Sequence, residues 1–157
     1  MKFNPPKLIA TVEGCPITWD GVDIRFTARL RVDDDGTGSG HGDRCHQRDT
    51  SLHRGGVPLD ADIDCYIVVP PIILFSVPPV VLGSQVMVKY KDKTAAAVVG
   101  DVGPHERLGE GSIALLRKLG INTNPNTGGD DSTNVQFIIT PGVCAIVDGV
   151  HYELQRA

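Results

Sequence analysis

Glycine and proline punctuate this chain too often for long helices to form. There are 18 glycines and 11 prolines in 157 residues, and each tends to end or bend regular structure. The acids agree: the sequence carries fifteen aspartates against four glutamates, and aspartate favours turns over helix interiors. What remains for regular structure is a set of short strands. The clearest is Asp23 to Val32, where Ile24, Phe26, Ala28, Leu30 and Val32 alternate with Arg25, Thr27, Arg29 and Arg31. Period-two alternation of this kind marks a half-buried strand, and its cationic face suits pairing with nearby aspartates. Gln85 to Lys91 alternates again, Asp92-Lys93 turns the chain, and Thr94 to Gly100 returns. Val143 to Val147, Asp148-Gly149 and Val150 to Leu154 form the strongest hairpin signal.

Two apolar runs, Cys65 to Val69 and Ile72 to Val77, are broken by Pro70-Pro71 and Pro78-Pro79, and read as strands at sheet edges. Val135 to Thr140 is a further strand, and Asn122 to Ser132 a polar loop. One helix is expected: Ser112 caps it, Ile113, Leu115, Leu116 and Leu119 supply its apolar side, Arg117-Lys118 occupy the last turn, and Gly120 follows it. The sum is a mainly β protein with about seven short strands and one short helix, which predicts a small closed barrel.

Residues 1–157 read as one domain. Charged residues make up 22% and hydrophobic residues 41%, which excludes disorder, collagen and coiled coil. No apolar run reaches the roughly 20 residues of a membrane helix, so no membrane is expected as a partner. A net charge of −4 argues against nucleic acid, which needs a basic face. A neutral or cationic ligand suits the chain better. A monomer is expected, with no cofactor and no metal ligands. Met1 to Ala10 lacks the apolar core of a signal peptide. An extracellular role is therefore expected with a leader removed, or with release by lysis.

Four cysteines permit two disulfides. Cys65 and Cys144 lie in apolar runs and read as buried thiols; Cys15 and Cys45 lie in polar, glycine-containing stretches and are the better candidates for a bridge. No Cys-x-x-Cys occurs, which disfavours a zinc ribbon or redox motif.

The segment Val98 to Ile121 carries the most chemistry. An apolar strand delivers Asp101 at its end, Gly103-Pro104 turns the chain, a loop carries His105 and Glu106, and Glu110 precedes the helix cap. Two carboxylates thus flank one compact loop on rigid mounts. Glycosidic cleavage needs two carboxyl groups across the scissile bond. A carboxyl group at an apolar strand end has its pKa raised by desolvation, whereas one beside a helix N-terminus tends to stay ionised. The spacing alone fits solvated or capping acids equally well.

Asp101-Val-Gly-Pro, Leu108-Gly-Glu110-Gly-Ser-Ile-Ala-Leu-Leu and Leu119-Gly-Ile resemble the catalytic segment of glycoside hydrolase family 75 chitosanases. Upstream, Asp33-Asp-Asp-Gly36, Gln47-Arg-Asp-Thr-Ser51, Pro58-Leu-Asp-Ala61 and Tyr66-Ile-Val-Val-Pro70 resemble further motifs of that family in the same order. The matches span residues 33 to 121. The resemblance implies endo-hydrolysis of the β-1,4 bonds of chitosan or chito-oligosaccharides with inversion. Asp101 and Glu110 would be the two catalytic carboxylates, with Glu110 favoured as proton donor. Gln47, Thr50 and His105, together with Asp34 and Asp35, would bind substrate. The Asp-x-Gly-Pro strand end and the following Ser-x-Ala helix also resemble double-psi β-barrels of the rare lipoprotein A and expansin kind. That implies a double-psi-like barrel. It also supplies the competing functions: a peptidoglycan lytic transglycosylase, or a non-catalytic, polysaccharide-binding or virion-associated protein.

Other candidates have simpler explanations. Asp33 to Gly36 opens like a calcium loop, but Arg44 stands where an EF-hand needs glutamate. An acidic loop there would instead attract a cationic polymer. His41, Cys45, His46 and His53 match no metal-ligand spacing. Trp19, the sole tryptophan, is expected in the core. Ser112 lacks the Gly-x-Ser-x-Gly setting of a nucleophile.

Overall fold

The computed structural model describes residues 6–38, 40, 43, 45–76 and 79–155. His41 and Val77 lie outside the described residues. The strands are β1 (Lys7–Val12), β2 (Cys15–Trp19), β3 (Ile24–Asp33), β4 (His53–Arg54), β5 (Val57–Pro58), β6 (Tyr66–Val69), β7 (Ser84–Tyr90), β8 (Lys93–Val102), β9 (Glu110–Ser112), β10 (Asp130–Cys144), β11 (Ile146–Val147) and β12 (Val150–His151). Two helices, α1 (Pro71–Leu74) and α2 (Ile113–Leu119), complete the chain. No helix among the described residues is long and apolar enough to cross a membrane.

Six strands close into a barrel in the order β3-β10-β7-β8-β6-β9, with β9 pairing back onto β3. Two of the six pairings, β3 with β9 and β6 with β8, are parallel; the other four are antiparallel. Exchanging the first three barrel strands, in order, for the last three leaves both the neighbours and the parallel pairs unchanged. The barrel is thus two interlocked copies of one three-strand pattern, a double-psi-like topology. The β1–β2 hairpin extends the sheet beyond β3.

The core follows from alternation. Ile24, Phe26, Ala28 and Leu30 of β3 are buried, as the sequence pattern requires. Phe26 stacks on Phe137 of β10 with ring centroids 4.8 Å apart. The cationic face of β3 finds acids: Arg25 pairs with Asp20 at 2.8 Å, and Arg31 with Glu13 at 2.6 Å. Trp19 is half-buried against the core.

Local chemistry sets the ends of α2. The Ser112 hydroxyl accepts from the Leu115 N–H, and Gly120 ends the helix in the left-handed region at φ 71°. Asp148 (φ 51°) and Gly149 (φ 79°) adopt the two positive φ values that a tight β11–β12 hairpin needs.

Several expectations are corrected. Part of the apolar run Ile72 to Val77 is helical rather than extended, because Pro71 sits at the first helical position, where its missing N–H costs nothing. The polar stretch before Asp64 holds a small β4–β5 hairpin, turned by Gly55-Gly56, both at positive φ. The β7–β8 turn is Lys91-Asp92, one residue earlier than expected. All four cysteines are free, so Cys15 and Cys45 are not bridged; Cys65 is buried, but Cys144 is exposed where β10 ends.

One irregularity in the barrel wall matters later. Ile67 of β6 pairs with Val99 of β8, and the next residue, Val68, pairs with Asp101, so Gly100 is bulged out of register. A Cβ at Gly100 would stand 2.7 Å from the Tyr66 Cβ and 2.8 Å from the Leu59 Cδ1. Gly100→Ala should therefore destabilise the fold by about 1–3 kcal/mol, read as a lower urea midpoint at unchanged slope. An unchanged midpoint would mean that the wall yields there without strain.

Candidate active site

The bulge at Gly100 fixes the direction of Asp101. Without it, Gly100 would oppose Val68 and Asp101 would fall on the other face. As built, Val68 is the register partner of Asp101 on β8 and of Glu110 on β9, while Glu110 is also the partner of Arg31 on β3. Arg31, Glu110, Val68 and Asp101 thus form one row across four adjacent strands. Asp101 and Glu110 stand two strand spacings apart, roughly 9–10 Å between backbones.

Their surroundings differ. Asp101 is buried, and its Oδ1 accepts from the Ser51 N–H at 3.0 Å, the Ser51 hydroxyl at 2.9 Å and the Val102 N–H at 2.9 Å. Burial raises its pKa and these three donors oppose the rise. The Glu110 Oε1 faces the half-exposed guanidinium of Arg107 at 3.7 Å. Burial raises its pKa too, against the attraction of Arg107 and Arg31. The helix start beyond Glu110 does not outweigh this loss of solvent.

Arg31 is held in place from behind. Glu13, in the β1–β2 turn, accepts two N–H bonds from its guanidinium and a third from the Leu108 backbone. The Arg31 guanidinium and this backbone donor hold the Glu13 carboxyl down at about 2.

Two further carboxyls gather beside Asp101. Asp33, Asp35 and Asp101 each bring an oxygen within 4.8 Å of the others. The Tyr66 hydroxyl lies 3.0 Å from the Asp33 Oδ2 and 2.8 Å from the Asp35 carbonyl oxygen. A phenol has one proton for these two acceptors. A neutral Asp33 resolves the shortage: its O–H donates to the Tyr66 oxygen, whose own proton goes to Asp35. Burial first, then the charges of Asp35 and Asp101, push the Asp33 carboxyl up to about 8. The same surroundings push the Tyr66 phenol up.

Asp33, Asp34, Asp35, Gln47, Arg107 and Glu110 line a cleft of about 530 Å³, with Asp131 and Asn126 on its far side. The expected substrate residues are distributed unevenly about it. Asp34 is buried rather than solvated, at 2% exposure. Asp35 is half-buried, its Oδ1 accepting from the Gln47 N–H at 2.8 Å. Thr50 is buried behind the wall, its hydroxyl donating to the Leu52 carbonyl and accepting from Leu59, so it supports the site in place of the expected substrate contact. His105 is exposed on the loop whose Pro104 and Arg107 line the cleft. His46 faces Asp34, whereas His53 bonds to Asp49 at 2.7 Å, so the two histidines serve different places. Ser112 is fully buried, capping α2 and accepting from the Tyr66 N–H at 3.0 Å.

Sequence reasoning passed over Asp33, Tyr66, Ser51, Arg31 and Arg107. Asp33 had a signal: it continues the polar alternation of β3 two residues beyond Arg31. No protein-family model matches this chain, and no curated protein shows significant similarity to it.

Asp33 couples the site to stability. Its folded pKa, about 8, lies above the ordinary 3.8, so the folded state keeps a proton that the unfolded chain releases. That stabilisation is complete below the ordinary value and is lost as pH rises through the folded one. The melting temperature should fall between about pH 4 and pH 8. Asp33→Asn, whose amide donates to Tyr66 without ionising, should flatten that fall. Parallel pH profiles for the two proteins would show that Asp33 holds no proton.

Proposed function

We propose that this protein is an endo-acting chitosanase that hydrolyses β-1,4-glucosaminidic bonds with inversion. The observation that carries this reading is the in-register placement of Asp101 and Glu110 on either side of Val68, with Glu110 lining an acidic cleft and Asp101 grouped with Asp33 and Asp35 of that lining. Inverting hydrolysis needs two carboxyl groups roughly 6.5–9.5 Å apart, with room for a water. Backbones two strand spacings apart, roughly 9–10 Å, are compatible with that separation.

The hydrogen bonds support a division of roles. Asp101 accepts three donors on one oxygen, and such bonds favour the ionised form. It is the general base, taking a proton from the attacking water while its second oxygen remains free to do so. Glu110 is the general acid: it lacks a close donor among the described residues, and burial favours its neutral form. It protonates the departing glycosidic oxygen. The acidic lining, which includes Asp35, Asp43 and Asp131, attracts the ammonium groups of a glucosamine polymer. The ordered motifs between residues 33 and 121 support the same substrate.

Asp101→Asn and Glu110→Gln should each lower reducing-end release from chitosan by at least about a hundredfold. Normal cleavage by both variants would overturn the assignment. Peptidoglycan serves as the parallel substrate. Release of anhydro-muropeptides by wild type and Glu110→Gln alike, with chitosan untouched, would point to a lytic transglycosylase, which manages with a single acid; binding without cleavage would point to a polysaccharide-binding module.

The pH profile gives a second check. Activity should require Asp101 ionised and Glu110 protonated, giving a bell. Both limbs should lie above the ordinary carboxylate range, because burial raises both groups. A profile with both limbs in the ordinary range would contradict the burial of the pair.

A further inference from the structure

A second cluster of acids lies outside the proposed acid–base pair, and it is differently built. One oxygen each of Asp34 and Asp35 and a ring nitrogen of His46 lie within 4.8 Å of one another. Asp34 is 2% exposed, and among the described residues its Oδ2 has no hydrogen-bond partner. Its Oδ1 stands 3.4 Å from the His46 Nδ1, beyond the usual range of an N–H···O bond. The Asp43 carboxyl faces Asp34 as well, adding a like charge instead of a counter-charge. A buried, unpaired carboxylate facing another carboxylate is costly. The Asp33, Asp35 and Asp101 group differs, because Asp33 is hydrogen-bonded to Tyr66 while Gln47 and Ser51 supply donors to Asp35 and Asp101.

We propose that Asp34, Asp35 and His46 bind a divalent cation of the manganese or zinc kind, with Asp43 in reach as a fourth ligand. The donor set argues for that class. Calcium takes six to eight oxygen ligands, and magnesium keeps most of its waters. Carboxylate oxygens joined by one imidazole nitrogen suit manganese or zinc. The orphaned Asp34 Oδ2 becomes a ligand atom, and the ion supplies the missing positive charge. The ion also ties two parts of the chain together. Asp34 and Asp35 directly follow β3, and His46 precedes Gln47, whose N–H and carbonyl already bond to Asp35 and Gly36. Bound there, the ion pins His46 and the neighbouring cleft residues Cys45 and Gln47 to the end of β3. It takes no part in bond cleavage, so the inference stands apart from the proposed reaction.

The competing explanation is a proton shared between Asp34 and Asp43 with no ion. The test uses the full chain stripped with chelator and titrated calorimetrically with manganese, zinc, calcium and magnesium chlorides. One manganese or zinc ion per chain is expected, with calcium and magnesium weaker. At a hundredfold excess over the dissociation constant the ion should raise the melting temperature by roughly 5–10 °C. Asp34→Asn and His46→Gln should each weaken binding at least about tenfold. His46 lies nearer the surface, so His46→Gln decides alone if Asp34→Asn fails to fold. No binding of manganese or zinc, tighter binding of calcium, or binding that survives both substitutions would overturn the proposal. So would an Asp34→Asn protein more stable than wild type under ion saturation.

Discussion

The pairing of Asp101 with Glu110 depends on one seam, where β6 lies between β8 and β9. Strand β6 is four residues long and all four are buried. Its two neighbours each bring a carboxylate to the row that crosses Val68. One bulged glycine sets which face that row occupies. Had Gly100 stayed in register, Asp101 would point to the opposite face of the sheet from Glu110. The spacing between them is then a property of β-sheet geometry, set by strand separation instead of by flexible loops.

The energetic problem of the seam is charge. Asp33, Asp35, Asp101 and Glu110 gather where solvent is scarce, and burial raises the pKa of each. The protein meets this with differing remedies. Asp101 receives three donors, Glu110 faces two guanidinium groups, and Asp33 keeps a proton and passes a hydrogen bond through Tyr66. Arg31 is steadied for its part by Glu13 from a distant hairpin. Carboxyl groups of one chemical type thereby acquire separate proton affinities, which is the condition for acid and base chemistry at a single pH.

Much of this was legible in the residue order, and the reasons are local. Alternation in β3, the Ser112 and Gly120 caps of α2, and the Asp148-Gly149 turn rest on contacts between near neighbours, so short-range rules found them. Asp101 and Glu110 were legible because a strand end and a helix start mark rigid positions. The helix α1 was missed because a proline pair can precede a helix as readily as it ends a strand. Asp33 was missed because its partner Tyr66 is 33 residues away. Thr50 sits in a motif that pointed toward substrate, yet the direction its hydroxyl takes depends on Leu52 and Leu59. Barrel closure depends on β3 meeting β9, a pairing no local pattern encodes.

The interlocked topology also orders assembly. The parallel partner of β3 lies beyond β8 in the chain, and that of β6 lies beyond β7, so neither parallel pair forms as a hairpin. Long chain loops must close first, which makes such a barrel slow to fold compared with a meander of equal size. The β7–β8 hairpin needs no such closure. The pairings that bring Asp33, Asp101 and Glu110 together join segments distant in the chain, so the crowding of charge exists only once those segments have met. Apart from one another the same carboxylates are hydrated, and the repulsion belongs to the closed barrel alone.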